Sequence, residues 1–188
     1  MDNKISMWFV LEPLLYSQEF THLADLSRKL NIPHATLRKY LNNFEKLGVL
    51  AKQIKGRLTM YRLNYANPLI IDFIQITEKE KILNKCQKEL LIREVVSFIH
   101  EDSERNKVLI FGSAAEDMKK ANDIDLLIIG KSKIKDKLKL LKNNLNLEFH
   151  IINAEKFEDI NKSLKNEIIN KHIIIEGLEE FTRWMIKN

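Results

Sequence analysis

Of the chain's 188 residues, 45% are hydrophobic and 30% charged, and the mean hydropathy is −0.27, which suits a packed core and excludes a disordered chain. No apolar run approaches the roughly 20 residues of a bilayer span, and Met1-Asp2-Asn3-Lys4 lacks a leader pattern, so a cytoplasmic protein without a membrane partner is expected. The net charge of +5 is concentrated: residues 1–63 hold ten Lys/Arg against five Asp/Glu, while the remainder balances, so the first third is the part suited to a polyanion.

In chain order, Ile5 to Tyr16 is apolar enough for a helix that Pro13 starts, bends or breaks. Residues 21–30 place Leu23, Leu26 and Leu30 on one helical stripe, and Asn31-Ile32-Pro33 stops it. A second helix is expected from His34 to Leu47, with Leu37, Leu41, Phe44 and Leu47 on one face and Gly48 as its end. Val49–Ile54 and Leu58–Leu63 read as strands of a hairpin turning at Lys55-Gly56.

Beyond Asn67-Pro68 the pattern is helical to about His100. Thr77 with Glu80 three residues on has the form of a capping box, which predicts two helices here. The apolar positions Ile70, Phe73, Ile74, Leu83, Leu90, Leu91, Val95 and Phe98 are expected to pack on their own domain rather than form a dimer surface. The single cysteine, Cys86, excludes a disulfide within the chain and suits a reducing compartment.

From Lys107 strands and helices alternate. Strands are expected at Val108–Phe111, Leu126–Ile129, Leu147–Ile152 and Ile173–Ile175. Helices are expected at Ile134–Asn143, Glu155–Asn170 and Leu178–Ile186.

Two helices in a tight turn followed by a basic hairpin outline a winged helix-turn-helix. Leu-Ala-Asp-Leu-Ser-Arg-Lys-Leu (23–30), Asn-Ile-Pro (31–33), His-Ala-Thr-Leu-Arg-Lys-Tyr-Leu (34–41) and Leu-Gly-Val-Leu (47–50) resemble the winged-helix regulators of archaea and bacteria over residues 20–63. That resemblance implies double-stranded DNA as a partner. The apolar stripe of the second helix would face the core, leaving His34, Thr36, Arg38, Lys39, Asn42 and Asn43 for the major groove. Arg38 and Asn42 have the donors to read guanine and adenine edges. Lys39 suits phosphate, and Lys55, Arg57 and Arg62 of the hairpin suit backbone phosphates or the neighbouring minor groove.

A second constellation is Phe111-Gly112-Ser113, nine residues, then Asp123-Ile124-Asp125. A Gly-Ser at a strand end lets backbone approach a phosphate closely. Two carboxylates two apart on an extended segment share a side, and their repulsion makes Mg²⁺ a natural occupant. Glu148, alternating with Leu147 and Phe149 on the next strand, is the candidate third carboxylate, since an acid in a core strand is costly unless paired or metal-bound. His150 shares its parity and is expected to be a packed or surface residue.

This ordered set resembles the minimal nucleotidyltransferases of the DNA polymerase beta-type superfamily over residues 90–185. The resemblance implies Asp123, Asp125 and Glu148 as catalytic carboxylates and ligands of Mg²⁺, with Glu148 also helping to deprotonate an attacking hydroxyl. It also implies a nucleoside triphosphate held at Gly112 and Ser113, and transfer of a nucleoside monophosphate. Where a basic residue and a glycine are usual after the Gly-Ser, the chain has Ala114-Ala115-Glu116-Asp117, and those two acids are expected to oppose an anion.

The expected architecture is α+β: a winged helix over 1–66, a helical connector over 67–100, and a nucleotidyltransferase-like mixed sheet with flanking helices over 101–188. The expected function is a DNA-binding, transcription-regulating protein whose second domain binds or transfers a nucleotide. Two alternatives stay open, a non-catalytic regulator with a degenerate second domain and an antitoxin-type transferase that modifies a partner protein. A homodimer is compatible with each.

Overall fold

The computed structural model describes residues 7–101, 107–131, 138, 141 and 147–187. The chain divides into two compact units, Met1–Glu80 and Lys81–Asn188, and its architecture is α+β, with two successive helices and a β-hairpin in the first unit and a mixed sheet in the second. Among the described residues no helix is long and apolar enough to cross a membrane.

The first unit opens with a 3-10 helix, Trp8–Leu14, which contains Pro13. Next come β1 (Thr21–His22), α1 (Leu23–Leu30), α2 (His34–Lys46), β2 (Leu50–Lys55) and β3 (Leu58–Leu63). Thr21 and His22 pair with Tyr61 and Met60, so the residues expected to start the first helix serve as a third strand. Asn31 adopts a left-handed conformation, φ 53°, which an Asn side chain tolerates. The amides of Asn31 and Ile32 then close on the Arg28 and Ser27 carbonyls, and the chain turns directly into α2.

Leu37, Leu41 and Phe44 are fully buried on one face of α2, each stabilising the fold by about 1.5–3 kcal/mol. The Trp8 ring packs on Phe44 and Phe73, with centroids 5.4 and 5.8 Å apart.

Helix α3 runs unbroken from Ile70 to Lys88, which corrects the division expected at Thr77. The Thr77 hydroxyl donates to the Phe73 carbonyl one turn back, at 2.9 Å. That bond belongs within a helix and cannot cap a new one. The break falls at Glu89, in extended conformation, before α4 (Leu90–His100). On α4 it is Ile92, Val95, Val96 and Ile99 that enter the core of the second unit, whereas Leu83 of α3 and Leu90 are exposed.

The second unit is built on a four-stranded sheet in the order β6-β5-β4-β7, from β4 (Lys107–Phe111), β5 (Asp123–Ile129), β6 (Glu148–Ala154) and β7 (His172–Glu176). The β5–β6 pair is parallel and the others antiparallel. The five-residue α5 (Gly112–Glu116) follows β4, and a 3-10 turn at Phe157–Asp159 precedes α6 (Lys162–Asn170). After β7 comes α7 (Leu178–Ile186). The helix expected at Ile134–Asn143 lies outside the described residues except for Leu138 and Leu141, which are buried.

Alternation along the strands assigns the two faces. Ile124, Leu126 and Ile128 of β5 join Val108, Ile110, Ile173 and Ile175 in a core shared with α4. The opposite face carries Leu109, Phe111, Leu127 and Ile174, all buried, with α7 packed on β4 and β7. That apolar cover ends at Asp125, the strand position paired with Phe111. The one β5 position before it on this face, Asp123, is also acidic.

Candidate functional site

Asp123 and Asp125 both lie within β5, two residues apart, and so project from one face. Register brings β6 beside them: Asp123 pairs with Glu148 and Asp125 with His150. Parallel partners share a face, so four polar side chains crowd one open corner of the sheet. Ligand atoms of Asp123, Asp125 and His150 lie within 4.8 Å of one another. His150 Nδ1 stands 3.2 Å from Asp123 Oδ2 and 3.6 Å from Asp125 Oδ1.

Glu148 is on the same face but is not one of those three groups. It is exposed, because β6 is the edge of the sheet. The premise of an acid embedded in a core strand is thereby corrected. His150, expected to be a packed or surface residue, is exposed and stands within this close group; its parity with Glu148 was the available sequence signal.

Burial of the Asp125 carboxyl holds its pKa above the usual carboxylate range, with further upward pushes from Asp123 and from Glu167 on α6, against the opposing pull of His150. Glu167 had no local sequence signal, since its approach to Asp125 depends on how α6 packs. Acids crowded in this way favour a divalent cation, and two carboxylates with an imidazole form a donor set that fits one.

Gly112 sits against this cluster with φ +72°, and a Cβ there would lie 2.6 Å from Asp125 Oδ2. Its own amide donates to the Lys171 carbonyl at 3.2 Å, so what Gly112 provides is close approach and left-handed geometry. Ser113 is exposed at the start of α5.

The acids that follow do not stand as free negative charge. Glu116 pairs with Lys171 at 2.6 Å, and that hydrogen bond and charge hold its carboxyl below the usual range. Asp117 accepts from the Lys119 amide and pairs with Lys120 at 3.3 Å, and its pKa is lowered likewise. Lys85 Nζ reaches the Glu116 carbonyl and the Glu89 carboxylate, and Glu89 accepts from the Met118 amide. This network ties the segment after α5 to α3 and to the junction with α4.

In the first unit, His34, Thr36, Arg38, Lys39 and Asn43 are exposed on the face of α2 opposite its buried stripe, and Lys55 and Arg57 are exposed at the hairpin tip. Asn42 is half-buried, and its Oδ1 has no hydrogen-bond partner among the described residues. Arg62, expected to meet DNA, is half-buried. Its Nη1 donates to the Gln18 carbonyl at 3.2 Å, and its guanidinium lies 4.7 Å from the Phe20 ring centroid.

Residues 91–175 match the family model of the nucleotidyltransferase domain, a span that contains Gly112, Ser113, Asp123, Asp125, Glu148 and His150. No curated protein matches the chain. Among solved structures it is similar to AF1382 from Archaeoglobus fulgidus, at 19% identity over 43% of this chain and 89% of that one, with a TM-score of 0.36. A mutant of the toxin–antitoxin MntA–HpeT is similar at 10% identity over 50% and 79% of the chains, with a TM-score of 0.38. TrmBL2, an archaeal chromatin protein, is similar at 18% identity over 82% and 65%, with a TM-score of 0.29. Likenesses this remote carry no functional argument.

Proposed function

We propose that the second unit is a metal-dependent nucleotidyltransferase and that the first unit binds double-stranded DNA, making the whole a DNA-associated, transcription-regulating protein. The observation that carries the first part is the convergence of Asp123, Asp125 and His150 on one open corner of the sheet, within a span matched by the nucleotidyltransferase family model.

In this reading Asp123 and Asp125 hold a divalent ion, Mg²⁺ being the ion the resemblance implies, and that ion supplies charge neutralisation for a bound nucleoside triphosphate. Gly112 and Ser113 leave room for the triphosphate against the sheet. An acceptor hydroxyl attacks the α-phosphorus, the bond to pyrophosphate breaks, and Glu148 takes the hydroxyl proton. The pairing of Glu116 with Lys171 and of Asp117 with Lys120 reduces the opposition those acids would present to the phosphates.

On the first unit, the exposed donors of α2 would enter the major groove while Lys55 and Arg57 meet phosphates. Arg62 holds the hairpin to the body of the unit and is not assigned to DNA.

The test of the transferase is release of pyrophosphate from each nucleoside triphosphate by the full chain with Mg²⁺ or Mn²⁺. The expected result is turnover that Asp123→Asn combined with Asp125→Asn abolishes. Equal release by that variant, or none from the unmodified protein, overturns the catalytic reading and leaves a non-catalytic regulator.

A further inference from the structure

We propose that this site selects a first-row transition ion, Mn²⁺ over Mg²⁺, because His150 supplies an imidazole nitrogen as its third protein ligand. The inference deepens the metal-dependent reading above and rests on it.

The ligand geometry comes from strand register. Asp125 and His150 are direct partners across the parallel β5–β6 pair, with Asp123 one step along the same face. Neighbouring ligands of an octahedral ion with bonds of about 2.1 Å stand about 3.0 Å apart. The separations of 3.2 and 3.6 Å from His150 Nδ1 to the two carboxylates are close to that spacing, so an ion would be gripped by small side-chain adjustments with β5 and β6 in place. His150 is also accessible, with its side chain 66% exposed against 31% for Asp123 and 25% for Asp125, and water could complete the coordination from the open side.

Donor chemistry then decides the ion. Mg²⁺ is small, hard and oxygen-seeking and loses its waters reluctantly. Imidazole nitrogen suits the transition ions, whose affinity for mixed nitrogen and oxygen sites rises from Mn²⁺ onward through the series. Glu148, the oxygen donor that would have favoured Mg²⁺, lies outside the close group. Mn²⁺ accepts both carboxylate and imidazole, and it is the ion for which the nitrogen can be seen directly.

The experiment titrates the full chain with Mn²⁺ and separately with Mg²⁺ by calorimetry, without nucleotide, and records pulsed electron paramagnetic resonance of the Mn²⁺ form. Mn²⁺ is expected to bind at least about tenfold more tightly than Mg²⁺, with hyperfine coupling to one nitrogen. His150→Gln should remove that coupling and weaken Mn²⁺ by about 10–100-fold, the range in which even outer-shell partners act. His150→Asp should narrow the preference toward Mg²⁺. Both variants replace an exposed side chain, and circular dichroism checks that they fold. Equal affinity for the two ions, absence of nitrogen coupling, or Mn²⁺ binding unchanged in His150→Gln overturns the proposal. Because no triphosphate is present, such a failure leaves the transferase reading to its own assay, and a lack of pyrophosphate release leaves this measurement intact.

Discussion

The α-carbon of Gly112 stands so close to the Asp125 carboxylate that a methyl group on it would lie 2.6 Å from Oδ2, at a backbone φ of +72°. Both constraints act on the same atoms, and an L side chain satisfies neither. Gly112→Ala is expected to cost about 1–2 kcal/mol in left-handed strain alone, read as a fall of several degrees in melting temperature. It should also turn Asp125 and weaken divalent-ion binding. Combining it with Asp125→Ala should cost less than the sum of the two changes, because the overlap is then gone. An additive double variant contradicts the contact.

The Asp125 carboxylate is expected to be net destabilising in the metal-free protein, the pull of His150 notwithstanding. Burial, Asp123 and Glu167 all disfavour its charge, so Asp125→Asn should raise the melting temperature measured in chelator while abolishing ion binding. This is the trade expected where a site holds strain for function. A lower melting temperature in chelator would show that the carboxylate is already compensated by His150 alone.

The Glu116–Lys171 pair carries a pH dependence of defined sign. The Glu116 carboxyl titrates below its usual range because of Lys171, so its stabilising contribution is present above the ordinary glutamate pKa and is lost as pH falls through the lowered value. Lys171→Ala should therefore be slightly less stable than the unmodified protein at neutral pH, and the gap should close in acid. The same variant should weaken triphosphate binding at neutral pH, since Glu116 is then unpaired beside the proposed phosphate site. Thermal melts from neutral pH downward, with nucleotide titration, check both.

On the first unit, Arg38 and Arg62 should separate cleanly. Arg38 is exposed on α2, and Arg38→Ala should weaken DNA binding by about 10–100-fold, the span of one good base contact. Arg62 is committed to Gln18 and Phe20, so Arg62→Ala should cost about 1 kcal/mol of stability with DNA affinity near that of the unmodified protein. Lys39→Ala should lower the salt slope by about one. Anisotropy titrations at several salt concentrations, paired with melts, distinguish the two arginines.

Much of this was legible in sequence for physical reasons. The stripe of Leu37, Leu41 and Phe44 has one solution, a half-buried helix, and α2 forms as expected. Period-two alternation placed Asp123 and Asp125 on one side before any strand was seen. What failed, apart from Thr77, were inferences that needed partners far away in sequence. Thr77 had the spacing of a cap, but its hydroxyl was satisfied one turn back. Thr21 and His22 became a strand because β3 was there to pair with them. Glu148 was placed in a core strand because nothing local marks β6 as an edge. Arg62 was counted as free charge because Phe20 is 42 residues away. His150 had the correct parity and was set aside because histidines are common on surfaces, and only the register of β5 with β6 lifts it from that background.

The most direct measurement is an anomalous-scattering map of crystals of the full chain grown with Mn²⁺. The account expects one peak at the open corner of the sheet, within about 2.2 Å of an oxygen of Asp123, an oxygen of Asp125 and Nδ1 of His150, absent in Asp125→Asn. A corner without a peak, or an ion bound elsewhere while His150 stays paired to the two carboxylates, contradicts it.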